Sequence, residues 1–303
     1  MILLILINRR RQQMKTVFKL IIKAVILVQI LLMASCASGV DGKDGKLTVA
    51  VSIVPQATFV KEIAGDKIDI VTAIPPGKSP ETYAPSPVEL EKLSRSSIYF
   101  SIGVPAEVGI LDKLKDINGN IKIVDLAGKV KEQHPEIEIA PGHRDPHIWL
   151  SPKRAAVMVD IISQELSDID KENGDIYSEN AQKYIEILID LDKEISELLS
   201  NFKNRTFIVY HPSLGYFADD YGLNMISIEE EGKDAAPLNL QKVIDIAREQ
   251  DIKAVFYQSE MDSKQSRVFA DEIGGKAVQI SPLAPDYIEN IKKIAAEIVK
   301  SFE

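Results

Sequence analysis

Short β-rich runs alternate with helix-patterned stretches in two series of four, and a single long helical region separates the series. This rhythm constrains the fold more than any other feature. The first series reads as strands at Leu47 to Val54, Ile68 to Ile74, Ser97 to Ile102 and Ile121 to Leu126. Between them lie helical patterns from Pro55 to Ala64, stopped by Gly65, and from about Pro105 to Asp116. A further helix starts at Ser86-Pro87-Val88-Glu89, which has the form of a capping box with proline at the first helical position. The second series has strands at Phe207 to Tyr210, Asn224 to Ile228, Ala254 to Tyr257 and Ala277 to Ile280. Its helices fall near 213–220, 238–250 and 263–273, with a last one from about 286. Alternation of this kind predicts parallel sheets covered by helices on both faces.

The intervening region is helical from Pro152 to Leu166 and again from about Lys171 to Phe202. In the second part Tyr177, Tyr184, Leu188, Leu191, Ile195, Leu198 and Phe202 form one apolar stripe. At about 1.5 Å per residue this helix would reach roughly 48 Å, longer than one small domain is wide. A strut between two halves fits it better than a coiled-coil seam, which would have only about four heptads. The expected architecture is therefore α/β, with two Rossmann-like βα lobes of parallel sheet joined by one long rigid helix. Residues 47–165 form the N-terminal lobe, 166–203 the connecting region and 204–303 the C-terminal lobe.

Ahead of residue 47 the chain changes character. Lys15, Lys19 and Lys23 precede an apolar run from Ala24 to Met33 that is too short for a spanning helix, and Ala34-Ser35-Cys36 closes it with small residues, so residues 1–36 read as a secretory signal. Met14 is an alternative start. Residues 37–46 are small, polar and Gly-rich, a flexible tether. The stretch Leu32-Met33-Ala34-Ser35-Cys36 resembles the lipobox of prokaryotic lipoproteins, which implies lipidation at Cys36 and an extracytoplasmic, membrane-anchored protein. An ordinary signal peptide with an incidental cysteine is the alternative. Without residues 1–36 the chain has 30 basic and 45 acidic residues, a net charge of −15, which argues against nucleic acid as a partner.

Ligands of open α/β sheets bind beyond the carboxyl ends of the strands. That rule selects Glu81, in the loop after the second strand, His211, directly after the strand ending at Tyr210, and Ser281, after the last strand of the second series. His147 stands between the two series, in Asp145-Pro146-His147-Ile148-Trp149-Leu150-Ser151-Pro152. Alone, a histidine beside an Ile-Trp-Leu run fits a buried structural residue as well as a ligand. Together, two imidazoles and a carboxylate suit a divalent transition metal. His134 and His143 are scattered among acidic residues and read as a solvated loop. An enzyme is a lesser reading: the same donors suit non-haem iron, but Ser213 is flanked by Pro212 and Leu214 rather than a Gly-x-Ser-x-Gly elbow, and neither a phosphate loop nor a dinucleotide fingerprint occurs.

Several motifs in order carry a family resemblance. They are Pro75 to Pro87 with Pro80-Glu81-Thr82-Tyr83 at its centre, Asp145 to Pro152, Tyr210-His211-Pro212-Ser213-Leu214-Gly215-Tyr216-Phe217-Ala218 followed by Tyr221-Gly222-Leu223, Ile228 to Lys233, and Ser281-Pro282-Leu283-Ala284-Pro285-Asp286-Tyr287. From about residue 47 onward the chain resembles the zinc/manganese-type solute-binding lipoproteins of ABC importers. The resemblance implies a monomeric protein that holds a divalent metal between two lobes, zinc first and manganese or iron as alternatives, and delivers it to a membrane permease. His147 and His211 match two ligand positions of that family. Glu81 stands where the family has histidine, and Ser281 where it has aspartate before Pro-Leu. Serine is a poor ligand at neutral pH, so water, Asp286 or one of Glu229 to Glu231 is expected to complete the site. A relative whose cleft has drifted to another solute or to an interaction role is the second reading.

Overall fold

The strands β1 (Leu47–Val51), β2 (Ile68–Thr72), β3 (Ile98–Ser101) and β4 (Lys122–Asp125) form one parallel sheet in the order β2-β1-β3-β4. A short antiparallel hairpin, β5 (Glu138–Ala140) and β6 (His143–Arg144), follows it. The strands β7 (Thr206–Val209), β8 (Asn224–Ser227), β9 (Ala254–Gln258) and β10 (Lys276–Ile280) form a second parallel sheet in the order β10-β9-β7-β8. Read from its other edge, the second sheet repeats the order of the first. In each, the chain places its second strand on one side of the first and its third on the other, which opens a crevice at the carboxyl ends of β1 and β7. This computed structural model describes residues 46–202, 204–229, 237–260 and 264–303, which belong to one compact unit. The leader, Cys36 and the tether up to Gly45 lie outside the described residues.

Helices cover the sheets as the alternation predicts: α1 (Val54–Ala64), α2 (Pro87–Ser94), α3 (Glu107–Ile117) and α4 (Leu126–Lys131) in the first half. Gly65, at φ 57°, ends α1 with its N–H on the Lys61 carbonyl, a backbone conformation that glycine adopts without strain. Ser86 and Glu89 form the expected capping box on α2. The central strand β3 is buried along its whole length, as a strand covered on both faces must be. In β7 the side chains alternate: Phe207 and Val209 join the larger core, Ile208 the smaller one behind the second sheet.

The helical region consists of α5 (Pro152–Ile169) and α6 (Gly174–Ser200). Ser151 caps α5, its hydroxyl accepting from the Arg154 N–H, and Pro152 takes the first helical position. At 27 residues α6 spans about 40 Å, less than the 32-residue reading implied. Its start is set by a turn in which Asp170 accepts from Asn173 and the Tyr177 hydroxyl. Leu199 takes the buried place in the stripe that the spacing gave to Leu198, which is 40% exposed, and Phe202, beyond the end of the helix, packs half-buried against the core. Helix α6 packs on α5 and α1 and also on α10 (Tyr287–Lys300), touching helices from both series. The second half is completed by α7 (Gly215–Asp220), α8 (Pro237–Glu249) and α9 (Lys264–Glu272). Among the described residues no helix is long and apolar enough to cross a membrane.

Candidate metal centre

The segment Asp145 to Pro152 is held between the halves by its backbone as much as by its side chains. The Asp145 N–H bonds the Ile137 carbonyl, and a single turn of 3-10 helix, Ile148–Leu150, carries the chain into α5. Trp149 is fully buried: its indole N–H donates to the Pro282 carbonyl at 2.9 Å, and its own carbonyl accepts from the Tyr287 hydroxyl at 2.7 Å. Arg154, also buried, pairs with Asp220 at 2.7 Å and lies over the Tyr216 ring. His147 is thus fixed by contacts from the second half onto a segment of the first.

His211 arises from the other side. It follows β7, and on the adjacent strand end the Glu229 N–H bonds the Tyr210 carbonyl. The register that pairs Val209 with Ser227 continues, so His211 and Glu229 come side by side. Glu81 lies in the loop after β2, where Ser79 accepts from the Glu81 and Tyr83 N–H groups and the Ala106 N–H holds the Pro80 carbonyl.

These three side chains meet. One ligand atom from each of Glu81, His147 and His211 lies within 4.8 Å of the others. His147 Nε2 is 4.0 Å and His211 Nε2 3.8 Å from Glu81 Oε1, and the two imidazoles stand edge to face with centroids 5.2 Å apart. Each ring is turned by a carboxylate at its far nitrogen: His147 Nδ1 is 2.7 Å from Asp145 Oδ1, and His211 Nδ1 is 2.6 Å from Glu229 Oε2. A carboxylate accepts only, so each Nδ1 carries a proton, and each Nε2 is the ring nitrogen turned toward Glu81. Asp145 and Glu229 are buried at 0% and 6% exposure, and among the described residues each is ion-paired only with its histidine. Three carboxylates around two imidazoles, with Glu81, His147 and His211 converging, are an arrangement that could hold a dication.

Of the four candidates read from the sequence, the structure brings together three, Glu81, His147 and His211. Ser281 is half-buried at the end of β10, its carbonyl accepts from Asn290, and it lines a separate small hollow with Gln279 and Lys293. Asp286 is exposed, one residue before α10. Glu229, expected as a possible fourth donor, instead holds the far nitrogen of His211; Glu230 and Glu231 lie outside the described residues. The orienting role of Asp145 was not read from the sequence, although its place two residues before His147 is the local signal for it. His134 is half-buried, and His143 is exposed on β6 and lines the same cleft as the three donors.

Two parallel-sheet α/β halves with a histidine-carboxylate cluster at their strand ends define a two-lobed α/β protein with a candidate metal centre. The chain belongs to the family described as zinc-uptake complex component A, periplasmic (ZnuA), which matches residues 49–301. Among curated relatives, the zinc-binding protein AdcA of Streptococcus pyogenes serotype M1 is 30% identical over 262 residues, 79% of this chain and 51% of AdcA. The high-affinity zinc uptake system protein ZnuA of Bacillus subtilis (strain 168) is 28% identical over 277 residues, covering 86% of this chain and 87% of its own length. The chain thus spans about half the length of the AdcA relatives it matches. A crystal structure of ZnuA superposes with a TM-score of 0.80 at 35% identity, covering 85% of this chain and 100% of that one. The periplasmic zinc-binding protein TroA of Treponema pallidum shares the fold at a TM-score of 0.78 and 18% identity.

Proposed function

We propose that this chain is the extracytoplasmic solute-binding component of an ABC importer, that it captures a divalent transition metal, zinc first, through Glu81, His147 and His211, and that it delivers the metal to a membrane permease. The observation that carries the reading is the pair of Nε2 atoms converging on Glu81, each imidazole held from behind by a buried carboxylate. The zinc names of the relatives support the choice of metal. An oxygen donor in place of a third imidazole leaves room for manganese or iron. Action as a monomer and anchoring through a lipid on Cys36 belong to the same proposal.

The test is titration of metal-stripped protein with Zn²⁺, Mn²⁺ and Fe²⁺. Zn²⁺ is expected to bind one to one. His147→Ala and His211→Ala should each weaken it by more than the roughly 10–100-fold that loss of an orienting partner costs. No stoichiometric binding of any of the three ions would overturn the reading.

A further inference from the structure

Each histidine of the centre is followed at once by a tight turn. The Leu150 N–H bonds the His147 carbonyl, and the Ser213 N–H bonds the His211 carbonyl. Ser151 therefore keeps a fixed place relative to the first ring, and α7 relative to the second. Helix α7 has only six residues, about 9 Å of rise, and both of its ends rest on the stretch of chain that carries His147.

At its start Gly215 stands close against the Asp145 carboxylate. Beside it the Tyr216 hydroxyl accepts from the Ile137 N–H at 3.2 Å, and the Ile137 carbonyl accepts from the Asp145 N–H at 2.8 Å. At its end the Asp220 carboxylate accepts from the Ser151 hydroxyl and from Arg154 Nη1, the latter at 2.7 Å. Arg154 also joins the two ends: its guanidinium lies 4.4 Å from the centroid of the Tyr216 ring, and its Nη2 donates to the Pro135 carbonyl. A ring of contacts thus closes from His147 through Ser151, Asp220 and α7 to His211, whose imidazole stands edge to face on that of His147.

The Arg154 and Asp220 side chains are 3% and 7% exposed. A buried ion pair is weak evidence for stability, because apolar side chains of similar volume often serve as well. What a guanidinium and a carboxylate add is direction, which fixes the register of a short helix more narrowly than apolar packing does. A binding constellation needs such narrowness, since its groups must be held to within about 0.5 Å. Resting on the function proposed above, we infer that Asp220, paired with Arg154, is a positioning residue for metal binding: it sets the separation of His147 and His211 through Ser151 on one side and α7 on the other.

The test removes both charges together, so that neither is left buried alone, in the double variant Arg154→Met with Asp220→Leu. Its urea midpoint should stay close to that of the wild type. Two further readouts should move. In metal-free protein labelled with ¹³C-histidine, where the chain's four histidines give few signals, the nuclear Overhauser cross-peak between the His147 and His211 ring protons should weaken. Zn²⁺ affinity, by titration of the metal-stripped protein, should fall about tenfold or more. Tyr216→Phe, which removes one hydroxyl at the other end of α7, should shift both readouts in the same direction by less. If the double variant does not fold, Asp220→Asn takes its place with the same two readouts. A folded variant that keeps the cross-peak overturns the inference, whether or not its affinity falls, because the rings have then not moved. If the wild type binds no Zn²⁺, the proposed function fails, while the cross-peak, read without metal, still decides whether Asp220 sets the spacing of the rings.

Discussion

Glu229 Oε2 lies 2.6 Å from His211 Nδ1, on the side of the ring away from Glu81, so the carboxylate turns the imidazole rather than joining the donors. Asp145 does the same for His147 from within its own loop, accepting from both Nδ1 and the His147 backbone N–H. One buried acid per histidine turns the ring and raises the basicity of its other nitrogen.

Removing that acid without changing its shape should therefore weaken the metal. Glu229→Gln and Asp145→Asn are each expected to lower Zn²⁺ affinity about 10–100-fold, because an amide can offer its N–H to Nδ1 and draw the ring into the wrong tautomer. Isothermal titration of the two variants checks this. Affinity unchanged in both would show that the carboxylates serve packing only.

Gly215 is tied to the same device. A Cβ at this position would come within 2.3 Å of Asp145 Oδ2, which is buried and has no donor among the described residues. Asp145 is short and fully buried, so it cannot swing aside without releasing His147. Gly215→Ala is expected to cost about 1–3 kcal/mol of folding stability, as overpacking does, and to weaken Zn²⁺ in parallel. Urea denaturation and metal titration on one sample measure both. A loss of stability with unaltered affinity would separate Gly215 from the site.

The elements carried by periodicity were legible because burial imposes it. Strands β1 to β4 and β7 to β10 lie where apolar runs meet Gly, Pro or Ser punctuation, and ladder ends moved by only a few residues. Glu81, His147 and His211 were readable from the strand-end rule together with the order of motifs. Glu229 needed the register of β7 against β8, a tertiary fact, before it could be placed behind His211 rather than among the candidate ligands. The stripe on α6 was read as passing through Leu198, whereas Leu199 is the residue that packs, because both fit a helical spacing from Ile195. The hairpin β5–β6 has too few residues to show any period, and its position follows from the Asp145 and Ile137 pairing instead.

Glu107 allows a prediction about pH. Its side chain is buried at the start of α3, against Ser52 and the Ile102 and Gly103 N–H groups. Burial pushes its carboxyl up to about 7 from the ordinary 4.5; the two backbone donors and Arg144 act against the rise, and Asp125 adds to it. Between pH 4.5 and 7 the folded protein then holds a proton at Glu107 that the unfolded chain has released. By linkage, stability from this residue is full below about pH 4.5 and is lost as pH rises through about 7, opposite in sign to the usual salt-bridged carboxylate. At about 1.4 kcal/mol per pKa unit the loss over this window is at most roughly 3.5 kcal/mol. Glu107→Gln keeps the shape and cannot ionise, so the variant should gain stability relative to the wild type as pH rises across that window. Urea midpoints of both proteins at half-unit steps from pH 4.5 to 8 measure the difference, in which the histidines and the other carboxylates largely cancel. A flat difference would mean that Glu107 is ionised in the fold throughout, its charge carried by the two N–H groups and by Arg144.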